Sequence, residues 1–145
     1  MFERIRFARY ALRFERAFKT DDWEPVKACF APDATYTIIG GEPPFDGETR
    51  GSDEIVRLFK RMLDELDRKF DRRIPGLAGV PRLRDGELHM PWKARYVTGK
   101  RSIPLRWLTR CRFVGGKISA LSDTMDPDEV RRWAEEAQRQ VSAPR

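Results

Sequence analysis

Asp22-Trp23-Glu24-Pro25-Val26-Lys27-Ala28-Cys29-Phe30-Ala31-Pro32-Asp33-Ala34-Thr35-Tyr36 reads as a short acidic-capped helix that runs straight into a strand. A carboxylate at Asp21 or Asp22 can accept from the open amides of the first turn, Glu24 can reach back, and Pro25 is tolerated there. Trp23, Val26 and Phe30 then point inward together. Upstream, Phe7, Tyr10, Ala11, Phe14, Ala17 and Phe18 recur at three- and four-residue spacings, which predicts a helix with that face in the core. Downstream, Gly51-Ser52 precedes Asp53 and Glu54 at the positive end of a third helix, with the stripe Ile55, Leu58, Phe59, Met62, Leu63 and Leu66.

From Phe70 to Met125 the pattern becomes strand-like, with breaks at Pro75-Gly76, Asp85-Gly86, Gly99-Lys100 and Gly115-Gly116, so an antiparallel meander is predicted. Asp126-Pro127-Asp128-Glu129 is a capping box with proline in the first helical position, and the helix it opens buries Val130, Trp133, Ala134 and Ala137. Ser142 to Arg145 is predicted to fray. No repeat or linker interrupts this order, so residues 1–145 are predicted to form one α+β domain.

Composition narrows the classes. The chain is 40% apolar and 36% charged, and no apolar run approaches the ~18 residues of a membrane helix, so no span is encoded. Arg4, Arg6, Arg9, Arg13 and Arg16 make the first helix basic, as in a transit peptide, but Glu3 and Glu15 interrupt the charge and serine is absent there. Cys29 and Cys111 are the only cysteines and His89 the only histidine, which is no spaced metal cluster. Free buried thiols, a reducing cytoplasmic compartment, and no metal or cofactor are the expectations.

Alternation sorts the strand residues into two faces. Leu88, Met90, Trp92, Ala94 and Tyr96 share an apolar face, while His89, Pro91, Lys93, Arg95 and Val97 take the other. Leu105, Trp107, Thr109, Cys111 and Phe113 likewise oppose Arg106, Leu108, Arg110, Arg112 and Val114. The aromatic residues are predicted to look inward and the basic ones outward. Core packing alone accounts for any single one of those aromatics.

Asp22-Trp23, Phe30 to Tyr36, Gly51 to Ile55 and Gly116 to Asp126 resemble the matching segments of the nuclear transport factor 2-like superfamily, in its SnoaL-like branch. That superfamily includes ketosteroid isomerases, scytalone dehydratases, limonene epoxide hydrolases and polyketide cyclases. The resemblance implies a cone-shaped, curved antiparallel sheet around three N-terminal helices, closed by a C-terminal helix. It also implies a pocket for a hydrophobic, oxygen-bearing small molecule, lined by Tyr36, Ile38, Trp92, Tyr96, Trp107, Thr109, Leu121 and Met125. The Pro43-Pro44-Phe45 segment after Gly40-Gly41 is a candidate entrance loop.

Asp123 is the candidate catalytic residue, because it interrupts an apolar alternation between Leu121 and Met125. Desolvation there raises a carboxyl pKa toward the range useful for proton transfer. The resemblance points the same way, since an acid faces the pocket at the matching place in the epoxide hydrolases and cyclases. A salt bridge or a solvated strand end is the structural alternative. Ile118 fits the same face only if a bulge intervenes. The comparison also argues against particular chemistries. Phe14, Ile38 and Thr109 stand where the ketosteroid isomerases carry oxyanion-hole tyrosine, base and protonated aspartic acid. Trp92-Lys93-Ala94-Arg95 lacks the acid of the epoxide hydrolases, and His89 falls on the outward face, unlike the pocket histidines of the dehydratases. Single-carboxylate cyclase-, dehydratase- or isomerase-like chemistry fits what remains, with Tyr36 or Tyr96 supplying a hydrogen bond.

Two readings of other classes stand beside it. Residues 68–117 hold fourteen Lys or Arg against Asp71, Asp85 and Glu87, in a chain of net charge +6. Lys93, Arg95, Arg106, Arg110 and Arg112 would form an outward stripe for an anionic partner, although no nucleic-acid motif accompanies it. The missing catalytic groups also suit a ligand-carrying or dimerisation module. Family relatives commonly pair through the sheet, so the resemblance implies a homodimer.

Overall fold

The computed structural model describes residues 2–142; of the predicted tail, Ser142 still belongs to the closing helix, and residues 143–145 lie outside the described residues. Helix α1 (Phe2–Thr20) presents Phe7, Tyr10 and Ala17 to the core, with Ala11, Phe14 and Phe18 packed at its margin. Helix α2 (Glu24–Lys27) is a single turn. The Asp22 carboxylate accepts from the Glu24 amide at 3.3 Å, whereas Asp21, with φ 60°, turns its own carboxylate to Arg68 and the Trp23 indole. Cys29 therefore lies beyond the helix, and Phe30 already begins β1 (Phe30–Ile39). Trp23, Val26 and Phe30 are buried, as the sequence predicts.

After β2 (Gly47–Arg50), helix α3 (Ser52–Glu65) buries Ile55, Phe59 and Leu63, and a 3-10 turn at Asp67–Lys69 leads into the sheet. Strands β3 (Arg72–Leu77), β4 (Arg82–Arg84), β5 (Glu87–Thr98), β6 (Arg101–Val114) and β7 (Lys117–Met125) follow, and α4 (Pro127–Ser142) closes the chain. The protein is α+β, with a seven-stranded sheet in the order β2-β1-β7-β6-β5-β3 and β4 paired to β5.

Two expectations are corrected. The sheet is mixed, because β1 runs parallel to β7, with Tyr36 beside Leu121 and Ile38 beside Asp123. The strand-to-strand return through β2, α3 and the meander makes this pairing invisible to local alternation. Pro75-Gly76 is no break: it lies inside β3, where Pro75 opposes Ala94. β3 ends the strand order, and an edge strand tolerates a residue without an N–H. The turns at Asp85-Gly86, Gly99-Lys100 and Gly115-Gly116 are present.

The sheet curls around α1. Phe7 lies 6.2 Å from Trp92 on β5, and Tyr10 lies 5.6 Å from Phe30 on β1. Those strands are three places apart, roughly 14 Å in a flat sheet. One helix face reaches both because the sheet wraps it. A bulge helps: Phe113 pairs with Ile118 and Arg112 with Ala120, so Ser119 is extra and both Ile118 and Leu121 turn inward. At the mouth, Gly40 (φ +80°) brings β1 so near the end of β7 that an added Cβ would sit 2.3 Å from the Met125 carbonyl oxygen.

Candidate functional site

Between α1, α3, α4 and the concave sheet lies a cavity of about 220 Å³. Strand alternation supplies most of its wall: Tyr36 and Ile38 from β1, Trp92 and Tyr96 from β5, Trp107 and Thr109 from β6, and Leu121, Asp123 and Met125 from β7 all line it. Gly41, Glu42 and Phe45 line it from the β1–β2 connection, so the proline-rich loop contributes its phenylalanine, whereas Pro43 and Pro44 stand away. Trp92 and Trp107 pair across β5 and β6 and stack with centroids 6.4 Å apart.

Asp123 is half-buried, and its accessible part belongs to the cavity wall. Thr109, directly across the ladder, donates to Oδ1 at 2.7 Å, and Tyr36 donates to Oδ2 at 2.5 Å. Burial raises the Asp123 pKa above the ordinary carboxylate value, while these two hydroxyls pull it back. Burial and the neighbouring carboxylate lift Tyr36 well above its usual range, so its proton is retained.

Tyr10, Glu15, Asp67, Arg73 and Trp133 line the cavity but were not legible as site residues. Tyr10, read as core from its helical spacing, lines the cavity, and its hydroxyl has no hydrogen-bond partner among the described residues. Burial, and then the charge of Asp123, raise its pKa well above normal. Asp67 follows α3 in a stretch that reads as a solvated helix end, yet its side chain is 12% exposed. Tyr96 donates to Asp67 Oδ2 at 2.5 Å, Arg73 Nε donates to the Tyr96 hydroxyl at 3.2 Å, and Arg73 Nη1 donates to Glu15 at 2.5 Å. Burial raises the Asp67 pKa despite the nearby guanidinium. Trp133, predicted as core of α4, also lines the cavity. The group of Asp67, Tyr96, Arg73 and Glu15 forms where α1, the 3-10 turn, β3 and β5 meet, and that meeting has no local sequence signal.

The hydroxyls of Tyr36 and Tyr96 are thus both engaged on carboxylates. The outward faces of β5 and β6 carry Lys93, Arg95, Arg106, Arg110 and Arg112, all exposed. His89 is on that side, 2.9 Å from Glu87.

Comparison with known proteins places this architecture in a family. Residues 11–121 match the SnoaL-like domain, and the chain belongs to that family, within the nuclear transport factor 2-like superfamily. Among solved structures, a candidate isomerase from Rhodopseudomonas palustris superposes with TM-score 0.73 at 15% identity, covering 90% of this chain and 96% of that one. A nuclear transport factor 2-like protein of unknown function from Burkholderia pseudomallei gives 0.68 at 20% identity, covering 89% and 97%. A candidate polyketide cyclase from Xanthomonas campestris gives 0.62 at 15% identity, covering 90% and 98%. These likenesses are of fold. No curated protein matches the sequence.

Proposed function

We propose that this protein is a proton-transfer enzyme that binds a hydrophobic, oxygen-bearing small molecule in the cavity and uses Asp123 as acid or base in a cyclase-, dehydratase- or isomerase-like reaction. The observation that carries this reading is a desolvated carboxylate held by Tyr36 and Thr109 on the wall of a mostly apolar cavity. Burial favours the neutral acid and the two donors favour the anion, a balance that suits a group which takes a proton and returns it.

On a bound ketone, the Asp123 carboxylate removes a proton from the carbon beside the carbonyl. The C–H electron pair becomes the enolate double bond, and the carbonyl oxygen takes up the negative charge. Tyr10, with its proton retained and its hydroxyl unengaged, donates to that oxygen. Return of the proton to another carbon completes an isomerisation, and its use against a leaving hydroxyl completes a dehydration. Ile38, Trp92, Trp107, Leu121 and Met125 hold the apolar body, and Tyr96 meets its distal part. Two structural neighbours are a candidate isomerase and a candidate polyketide cyclase.

The test is deuterium uptake beside the carbonyl of a panel of cyclic ketones in heavy water. The wild type is expected to exchange bound ketone at least ~10²-fold faster than Asp123→Asn, with ketone affinity retained in the variant. Equal exchange by both proteins would overturn the assignment. Binding without exchange would leave a ligand-carrying module in place of an enzyme.

A further inference from the structure

The concave face of β6 runs from Thr109 through Trp107 and Leu105 to Ile103, which pairs with Tyr96. The two ends are six residue steps apart, roughly 20 Å along the strand. Asp123 sits at the Thr109 end, and the group of Asp67, Tyr96, Arg73 and Glu15 sits at the Tyr96 end. Trp92, Trp107 and Leu105 fill the wall between. The cavity therefore has an apolar waist with a polar group at either end.

The Tyr96 end has unmet hydrogen-bonding capacity. Trp133 is 6% exposed, lines the cavity, and packs its ring 5.2 Å from that of Tyr96. Its Nε1–H is buried and has no partner. Native proteins leave few buried donors in that condition, and one in a cavity wall marks a place for an acceptor. The Asp67 carboxylate takes the Tyr96 hydroxyl on Oδ2 and a bond from its own backbone amide, and no other side chain donates to Oδ1 among the described residues. Arg73 is already faced by Glu15 and Asp67, so no spare positive charge is left for a carboxylate or phosphate. A neutral hydroxyl suits both groups, accepting from an indole N–H and donating to a carboxyl oxygen.

We propose that the cavity grips its ligand at two poles, and that the ligand is an elongated apolar molecule with its reacting oxygen near Asp123 and a hydroxyl received by Trp133 and Asp67 at the far end. This rests on the cavity being the ligand site proposed above, but it does not depend on which proton Asp123 moves. The Trp133 pole sets specificity and takes no part in bond making.

Calorimetry with biphenyl hydroxylated at both para positions, and with its singly hydroxylated counterpart, tests the idea. The wild type is expected to prefer the doubly hydroxylated compound by about tenfold, the scale of one well-made hydrogen bond. Trp133→Phe, which keeps a ring in the wall, is expected to lose that preference, read as the ratio of the two affinities within the variant. In the unmodified protein, the Trp133 indole N–H resonance should move downfield only with the doubly hydroxylated compound. Equal wild-type affinities, an unmoved resonance, or failure of both compounds to bind would each overturn the two-pole proposal. Loss of ketone exchange dependence on Asp123 with the biphenyl preference intact would instead overturn only the acid/base reading.

Discussion

Phe59 occupies one position in the apolar stripe of α3, yet its ring meets those of Tyr36 at 5.0 Å, Phe14 at 5.3 Å, and Trp23 and Phe30 at 6.1 Å. It joins α1, the α2 turn and β1 at a point 2% exposed. The rings around it are stiff and cannot close over a void, so Phe59→Ala is expected to cost about 3–5 kcal/mol in denaturant unfolding. A loss below about 1 kcal/mol would mean that the cavity wall collapses freely. Asp123 and Asp67 allow a prediction of opposite character. Both carry pKa values raised by burial, so each stabilises the fold fully below the ordinary carboxylate value of 3.8 and loses that contribution as pH rises through its raised pKa. The stability of Asp123→Asn relative to wild type should therefore be constant below that value, improve as pH rises from it to the raised pKa, and then level off. A difference that stays flat with pH would show the carboxyl to be solvated. At this scale, strand alternation made Trp92, Tyr96, Trp107 and Thr109 legible, because a period of two assigns a face without knowledge of neighbours. Asp67, Arg73 and the Tyr10 hydroxyl were illegible, because their burial arises from chain segments remote in sequence.

The closing helix is fastened to the sheet by a side chain inside its own capping box. β7 pairs with β6 only from Val114 back to Trp107, which leaves the Arg106 amide beyond its end. Glu129, 8% exposed, accepts from that amide at 2.5 Å, and the Arg106 side chain returns to the other carboxylate oxygen at 3.3 Å. Glu129→Ala removes the acceptor and strands a strand amide, with an expected loss of roughly 1–3 kcal/mol by thermal or chemical unfolding. Glu129→Gln keeps an acceptor and should recover a large part of it; equal losses for both would assign the effect to packing. Prolines follow the same rule of edges and gaps. Pro91 sits in the interior strand β5, but between the end of β3 at Trp92 and the start of β4 at His89, where its missing N–H has no ladder partner to lose. Pro75 was misread as a break for want of that information: whether a strand is an edge is a property of the assembled sheet.

Across the whole molecule, the order of helices, sheet and closing helix was legible, since caps, turns and periodicities are local marks that agree with one another. The outward basic stripe is less free than its residue count suggests. Arg106 is tied to Glu129 and Arg112 reaches Glu87, which leaves Lys93, Arg95 and Arg110 without an acidic partner among the described residues. No helix among the described residues is long and apolar enough to cross a membrane. The parallel pairing of β1 with β7 has its own bearing on how the protein comes into being. β1 ends at Ile39 and its parallel neighbour begins at Lys117, so on the ribosome the side of the first strand away from β2 waits for most of the meander to be synthesised. At roughly 5–20 residues per second that delay is several seconds. Through it, the aromatic faces of α1 and α3 are without the sheet that will cover them, and the nascent chain is a natural client for chaperones that shelter exposed apolar helices.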